Sequence, residues 1–566
     1  MKSPRLLPLT LLLLILFNHC SPVRTKKEPA QDTPAAMGAD MTSDPGAAVP
    51  TNGPVSEGLP AAALPDGVAP LDYGKIPEVP LLAAPVAELK AAVPLLGVET
   101  WYGVYVMNQK VGFMSVSWSV SETPEGPRVI QSQQFHMEMN VLGGKKTMDI
   151  KTTATYDGAD EGALLEHVTH QSADHVKRTV TLRRQSDGTH KATVESQAAG
   201  QSPEPVQTYT PDRPVGGLPE SDLAFSWTLS RNPSTWNAAR SWRARKFMST
   251  EVTVAHEVGR IVRRSEHKVD GKNRNFCVVE TISDNPKSRV ISVFNDLGII
   301  EVSKIGSIEM RREEKSKAAA GMGAEIDTGL SAVIPLPLAG TPAVSIAKLV
   351  LELNGPFPSP EFLNTHRYRL DTVDGKKRLT LSVDTLDNIS KPDPATLPAE
   401  IRKYLKSEPN IESDDAGLIA LARQASKNAR TPVEVLRAVT LFVGDYVEDT
   451  LRSDVESARM VGQLKKGDCT EHSILATALF RALGYPARQV GGVGYVRMCG
   501  ADGCLEGLGY HAWTQVWVGR WIDVDPTWKQ MPADVTHVMM GATDDMEWLE
   551  SLGNLKISVL QKELIK

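Results

Sequence analysis

Between about residues 98 and 315, short runs of alternating apolar and polar residues follow one another, divided by clusters of glycine, proline, aspartate and asparagine. Successive side chains of a strand point to opposite faces, so a period of two commits each run to a half-buried strand. Trp101 to Val106 and Val111 to Met114 flank the turn-like stretch Met107–Lys110 and read as a hairpin. The alternation returns at Phe135, Met137, Met139 and Val141, then over Thr179–Leu182, Lys191–Val194, Ile261–Val269, Phe276–Ile282 and Val290–Phe294. A mostly antiparallel β domain over 98–315 is the expected result. It brings no catalytic constellation: His136, His167, His170, His175 and His190 are scattered over strands and turns. The odd spacing of His167 and His170 sends their side chains to opposite faces of a strand.

The segments before it read differently. Lys2 and Arg5 precede an almost wholly apolar run from Leu6 to Phe17. That run is too short for a bilayer core, which takes roughly 20 residues, and it fits a signal peptide over residues 1–20. Cys20 stands where bacterial lipoproteins carry an acylated cysteine, although His19 is a poor residue to precede one; plain secretion is the other reading. Residues 21–97 are rich in proline, alanine and glycine without a sustained period, and are expected to form a flexible tether. The 566 residues would suggest three or four domains at roughly 150 each. With 62 Lys and Arg against 68 Asp and Glu there is no cationic surplus for phosphates, so nucleic acid is not an expected partner.

Beyond the β domain, residues 316–340 read as a linker and 341–395 as a small β unit with strands at Leu349–Leu353 and Leu379–Val383. Helices follow within 396–566. Leu418, Ile419, Leu421 and Ala422 share one face. Thr431-Pro432 is an N-cap followed by proline in the first turn, leading a helix with Val435, Leu436, Val439, Phe442 and Val443 on its apolar side. Gly467-Asp468-Cys469 then opens a third helix, with Asp468 as its cap, and Gly484 and Pro486 close it. A cysteine at a helix start meets orphan N–H groups and the positive end of the dipole, which favour its thiolate. Downstream, His511 to Val518 alternates like a strand, Gly519-Arg520 turns, and Trp521 to Asp525 returns, so His511 and Asp525 approach across a hairpin. Cys469, His511 and Asp525 are thus a candidate nucleophile, base and orienter.

These elements resemble the transglutaminase-like branch of the papain-like cysteine enzymes. The resemblance rests on Gly467-Asp468-Cys469, Ala482 to Arg488, His511-Ala512-Trp513, and Trp521 through Asp525-Pro526-Thr527, and covers roughly residues 400–566. It implies an α+β papain-like core in which Cys469 attacks, His511 serves as general base and acid, and Asp525 orients the imidazole. Asp523 rivals Asp525 for that last role, but the Pro-Thr that follows Asp525 is the family pattern. Gln463, six residues before Cys469, is a candidate oxyanion donor by the same resemblance, or else a surface glutamine. The backbone N–H of Cys469 is the other donor.

The remaining cysteines sort by context. Cys277 lies in an apolar strand, and Cys499 and Cys504 flank a turn-forming Gly-Ala-Asp-Gly and would pair in an oxidising envelope. His472 follows Cys469 by three residues, but no second Cys/His pair completes a metal site, so neither metal nor cofactor is expected. The expected function is that of an exported cysteine acyl-transfer enzyme, a protease, amidase or transamidase, acting on a protein, a peptide or a cell-wall peptide. The alternative is a silent envelope binding or scaffold module that keeps the fold. The lipoprotein reading predicts that the chain takes up a palmitate analogue and that Cys20→Ala abolishes the label; a wild type without label removes the anchor.

Overall fold

The computed structural model describes residues 59–71, 84–96 and 99–565, apart from internal segments of which 232–240, 322–332, 358–364, 451–456 and 543–550 are the longest. The expected signal peptide, Cys20 and His175 lie outside the described residues.

From Thr100 to Glu313 the chain builds a single antiparallel sheet, fourteen strands wide among the described residues. Eight strands step outward from Thr100–Val106 to Gln207–Tyr209. Six more return from Ser241–Met248 to Ile308–Glu313, which pairs with the first strand. The first hairpin turns at Met107 and Asn108, both at positive φ, the geometry that matches the right-handed twist of paired strands. His167 is buried and His170 is exposed on the same strand, Leu164–Ala173.

The expected tether is corrected at its C-terminal end. Val86–Leu96 is a helix, α1, whose Leu89 and Ala92 are fully buried. It joins the cluster formed by Tyr102, Val104, Met114 and Trp118 of the sheet and Leu223 of a second helix, α2 (Asp222–Arg231). A twisted sheet of this width curls, and the two helices fill its apolar side. The proline-rich composition hides a helical stripe at Val86, Leu89 and Val93. Residues 59–71 are ordered as well: the Leu71 N–H donates to the fully buried Glu280, which also receives Arg260 and Arg289.

The domain boundaries drawn from the sequence also shift. Ile334–Pro335 (β1), within the expected linker, adds a short edge strand to the C-terminal sheet, and Leu336 and Leu338 are buried. The small β unit holds Ile346–Asn354 (β2), Tyr368–Val373 (β3) and Lys376–Ser382 (β4), but its fourth strand is Lys556–Leu564 (β9) from the chain's end. Strand order is not chain order, so a boundary at residue 396 cuts a sheet that the C-terminus completes.

Between these lie helices α3 (Ala416–Ala425), α4 (Pro432–Tyr446), α5 (Ala458–Leu464) and α6 (Cys469–Ala482). Four strands follow: β5 (Ala487–Gly500), β6 (Gly503–Trp517), β7 (Trp521–Val524) and β8 (Val538–Ala542). Thr431 caps α4 through a reciprocal box with Glu434. Helix α6 is buried along almost its whole length and packs with Val516, Val518, Ile522 and Val524 of the sheet.

The packing of α1 predicts that Leu89→Ala costs about 2–5 kcal/mol. It should lower the urea midpoint of the transition that reports the large sheet, whereas a change in a flexible tether would leave that midpoint in place.

Candidate active site

Cys469 is the first residue of α6, and the segment before it is braced from two sides. Asp468 adopts the extended cap conformation and its side chain accepts from the Thr470 N–H at 2.9 Å. Glu471 reaches back to the Asp468 N–H at 2.9 Å. This reciprocal box needs a glycine at 467, because a Cβ there would stand 2.3 Å from the Glu471 Cβ. A short parallel pairing of Glu448–Asp449 with Lys466–Gly467 holds the approach to the cap. His472 donates Nδ1–H to the Asp468 carbonyl at 2.7 Å, so it serves the helix start.

The hairpin supplies the second component. Its register pairs Thr514 with Val524 and Trp517 with Trp521. Continued regularly, that register would set Trp513, and not His511, opposite Asp525. The strand instead ends at Val524, and Asp525 closes a turn with Gln530 through two backbone hydrogen bonds of 2.9 Å. The turn carries the Asp525 carboxylate to His511, whose Nε2 lies 2.8 Å from Oδ2. A carboxylate accepts only, so Nε2 bears the proton and Nδ1 carries the lone pair. Nδ1 is buried and has no hydrogen-bond partner among the described residues.

Cys469 lies in an apolar cluster with Val496 and Ala512, the residue after His511, and Val333 and Trp528 pack against it. The Trp528 ring stacks on the His511 ring at 4.0 Å and 7°. Gly494 makes room for that indole, since a Cβ there would meet it at 2.7 Å. Cys469, His511 and Asp525 each have 0 % exposure. Burial lowers the pKa of His511, and although Asp525 pulls the other way the ring favours its neutral form. Burial alone would raise the pKa of Asp525, but charge and hydrogen bonds from His511 and His537 hold it well below the usual carboxylate range.

Asp523, the rival orienter, faces a different set of partners. It accepts from Gln515 Nε2 at 2.6 Å and from the Tyr368 hydroxyl at 2.7 Å, and lies 3.5 Å from Arg367. The two aspartates part because the strand ends between them. Gln463 is exposed on α5, the surface position named as its alternative. The β5–β6 register sets Cys499 opposite Cys504, while their side chains lie outside the described residues.

One member of the cluster was not foreseen. His537 Nε2 lies 3.0 Å from the same Asp525 oxygen, and its Nδ1 lies 3.3 Å from Asp534. The signal was a histidine among Val535, Val538 and Met539, three residues after an aspartate. Ligand atoms of His511, Asp525 and His537 lie within 4.8 Å of one another, a grouping that could hold a metal ion. The spacings of 2.8 and 3.0 Å are those of N–H donors on one carboxylate oxygen.

The model of the transglutaminase-like superfamily matches residues 419–526, a span that contains Cys469, His511 and Asp525. The chain carries a transglutaminase-like domain. No curated protein matches the chain. Solved structures show slight likeness to parts of it. A candidate cysteine protease from Cytophaga hutchinsonii is 15% identical over 39% of this chain and 90% of its own, with TM-score 0.27. The periplasmic domain of TgpA from Pseudomonas aeruginosa is 17% identical over 34% and 74%, with TM-score 0.24. A β-barrel-like protein from Brucella abortus is 10% identical over 38% and 94%, with TM-score 0.25. The transglutaminase-like match ends at Pro526, before His537.

Asp525 and Asp534 raise the His537 pKa from its ordinary 6.5 to about 9, although burial opposes the charge. A raised folded-state value stabilises the protein fully below pH 6.5, and that contribution is lost as pH rises through about 9. The urea midpoint of the transglutaminase-like domain should therefore fall across that window and vary less in His537→Gln. Equal slopes in the two proteins would mean that His537 carries no such linkage.

Proposed function

We propose that the chain is an exported cysteine-dependent acyl-transfer enzyme that opens amide bonds through a thioester. The observation that carries this reading is the 2.8 Å contact of His511 Nε2 with the Asp525 carboxylate beside a buried, unpartnered Nδ1, which leaves Nδ1 as the acceptor. In the reaction Nδ1 takes the Cys469 proton as Sγ bonds to the substrate carbonyl carbon. The resulting oxyanion is met by the backbone N–H of Cys469 at the start of α6. His511 then returns its proton to the leaving nitrogen as the C–N bond breaks, which leaves the acyl group on Sγ. Water, activated by the same ring, releases the acid in a protease or amidase; an amine in its place gives a transamidase. Asp525 orients the imidazole and balances its charge.

Hydrolysis of a protein, a peptide or a cell-wall peptide is the preferred outcome. Export rests on the N-terminal charge and apolar pattern. Among the described residues no helix is long and apolar enough to cross a membrane. Full burial of Cys469 and His511 favours the second reading, a binding module without turnover, because substrate must displace covering side chains such as Val333 or Trp528.

A thiol-directed probe separates the two readings. In the enzyme, Cys469 labels at neutral pH faster than buried Cys277, and His511→Ala slows it by about 10²-fold or more. Labelling no faster than in denatured protein would sink the enzyme reading. Mass spectrometry of a glutamine-containing peptide incubated with an amine then distinguishes cleavage, deamidation and transamidation.

A further inference from the structure

Asp525 is shared. Its Oδ1 accepts the Trp528 N–H at 3.2 Å, and its Oδ2 accepts from both His511 and His537. Of the two imidazoles, only His537 has a carboxylate at each ring nitrogen. An imidazolium, which donates at both nitrogens, is the form that two flanking carboxylates favour.

We propose that His537 is a positioning residue for the acyl-transfer chemistry: through the shared oxygen it fixes the Asp525 carboxylate, and its cationic charge tunes the Cys469–His511 pair. The inference rests on the function proposed above. Its surroundings favour such a role. The ring is fully buried and meets Trp513 at 5.2 Å, Trp528 at 5.0 Å and His511 at 5.6 Å, so little water screens it. Its backbone is tied down from the small β unit, where the Tyr368 hydroxyl donates to the His537 carbonyl at 2.8 Å. Arg367 donates to the carbonyls of Ala533 and Asp534 and also faces Asp384 and Asp523. Among the described residues the charged or titratable groups around His537 are thus Asp525, Asp534, His511 and Tyr368, with Arg367, Asp384 and Asp523 in the adjoining network.

The consequence concerns charge as much as geometry. Burial favours the neutral form of His511, and the Asp525 carboxylate pulls it toward the protonated one. With His537 cationic, part of the Asp525 charge is already balanced, and Nδ1 of His511 remains an acceptor near neutral pH. The direction of the His511 shift agrees, since the His537 cation is one of its causes, after burial and the opposing pull of Asp525. Asp534 secures the outer nitrogen, and its own partners, the Thr536 hydroxyl at 2.6 Å and Gln530 Nε2 at 2.9 Å, hold it in place.

The test compares the pH dependence of Cys469 alkylation by iodoacetamide, and of kcat/KM, in the full-length wild type and His537→Gln. Removing a cation disfavours the neighbouring thiolate and favours the neighbouring imidazolium. Both limbs should therefore move to higher pH by about one unit, with kcat lowered about tenfold and KM little changed. A rate lowered equally at every pH, with unmoved limbs, overturns the proposal and leaves only a structural role. A wild type whose Cys469 alkylates no faster than Cys277 overturns the enzymatic reading itself, and this inference with it. Should His537→Gln not fold, 15N-histidine spectra of the wild type decide. An imidazolium at His537 that persists to about pH 9 supports the role, and a neutral ring at pH 7 overturns it.

Discussion

The C-terminal architecture depends on a carboxylate that has no contact with water. A fully buried Asp525 is tolerable only if its charge is paired and its lone pairs are filled. Three donors on three parts of the chain meet that demand: the β6 histidine, the Trp528 backbone and His537. Each donor fixes another element. The His511 ring is held on β6, Trp528 is brought over the imidazole, and the stretch 533–538 is drawn in beside β5.

A second buried network binds this centre to the small β unit. Arg367 and Tyr368 enter from β3 and the turn before it, and reach Asp523, Asp384 and the backbone of residues 533–537. Asp523 and Asp525 are two residues apart yet serve opposite neighbours, one facing the small unit and the other the histidines. The small unit is completed by β9 from the chain's end. Segments on both sides of the transglutaminase-like domain therefore support one site.

Much of the site was legible because its devices are local. A glycine, an acidic cap and a cysteine before an apolar helical stripe specify a helix start. An alternating run, Gly519-Arg520 and a second run specify a hairpin. These signals lie within a few residues of one another, and the structure has Cys469 at a helix start and His511 on a strand, as read, with Asp525 just past the end of the returning strand. The same logic read the large antiparallel sheet, where strands pair with their neighbours in sequence except that the first pairs with the last and Gln207–Tyr209 and Ser241–Met248 form the two edges. The hairpin argument left room for a shift from ideal register, and the structure has one. A regular strand would have missed His511, and only the break at Val524 brings Asp525 to it. His537 was overlooked because an apolar run with an aspartate three residues before the histidine suits an ordinary core histidine as well. α1 was read as tether because composition outweighed a short apolar stripe.

The sequence by itself determined the elements, their polarity and the chemistry they can carry: side-chain period, caps and turn residues are set by near neighbours. Tertiary structure decided which groups share an acceptor, which of two aspartates faces the imidazole, and which distant strand closes the small sheet. Those outcomes depend on burial and on contacts between residues far apart in the chain. The free energy of a buried charge is set by every group that surrounds it, and no local pattern encodes that set.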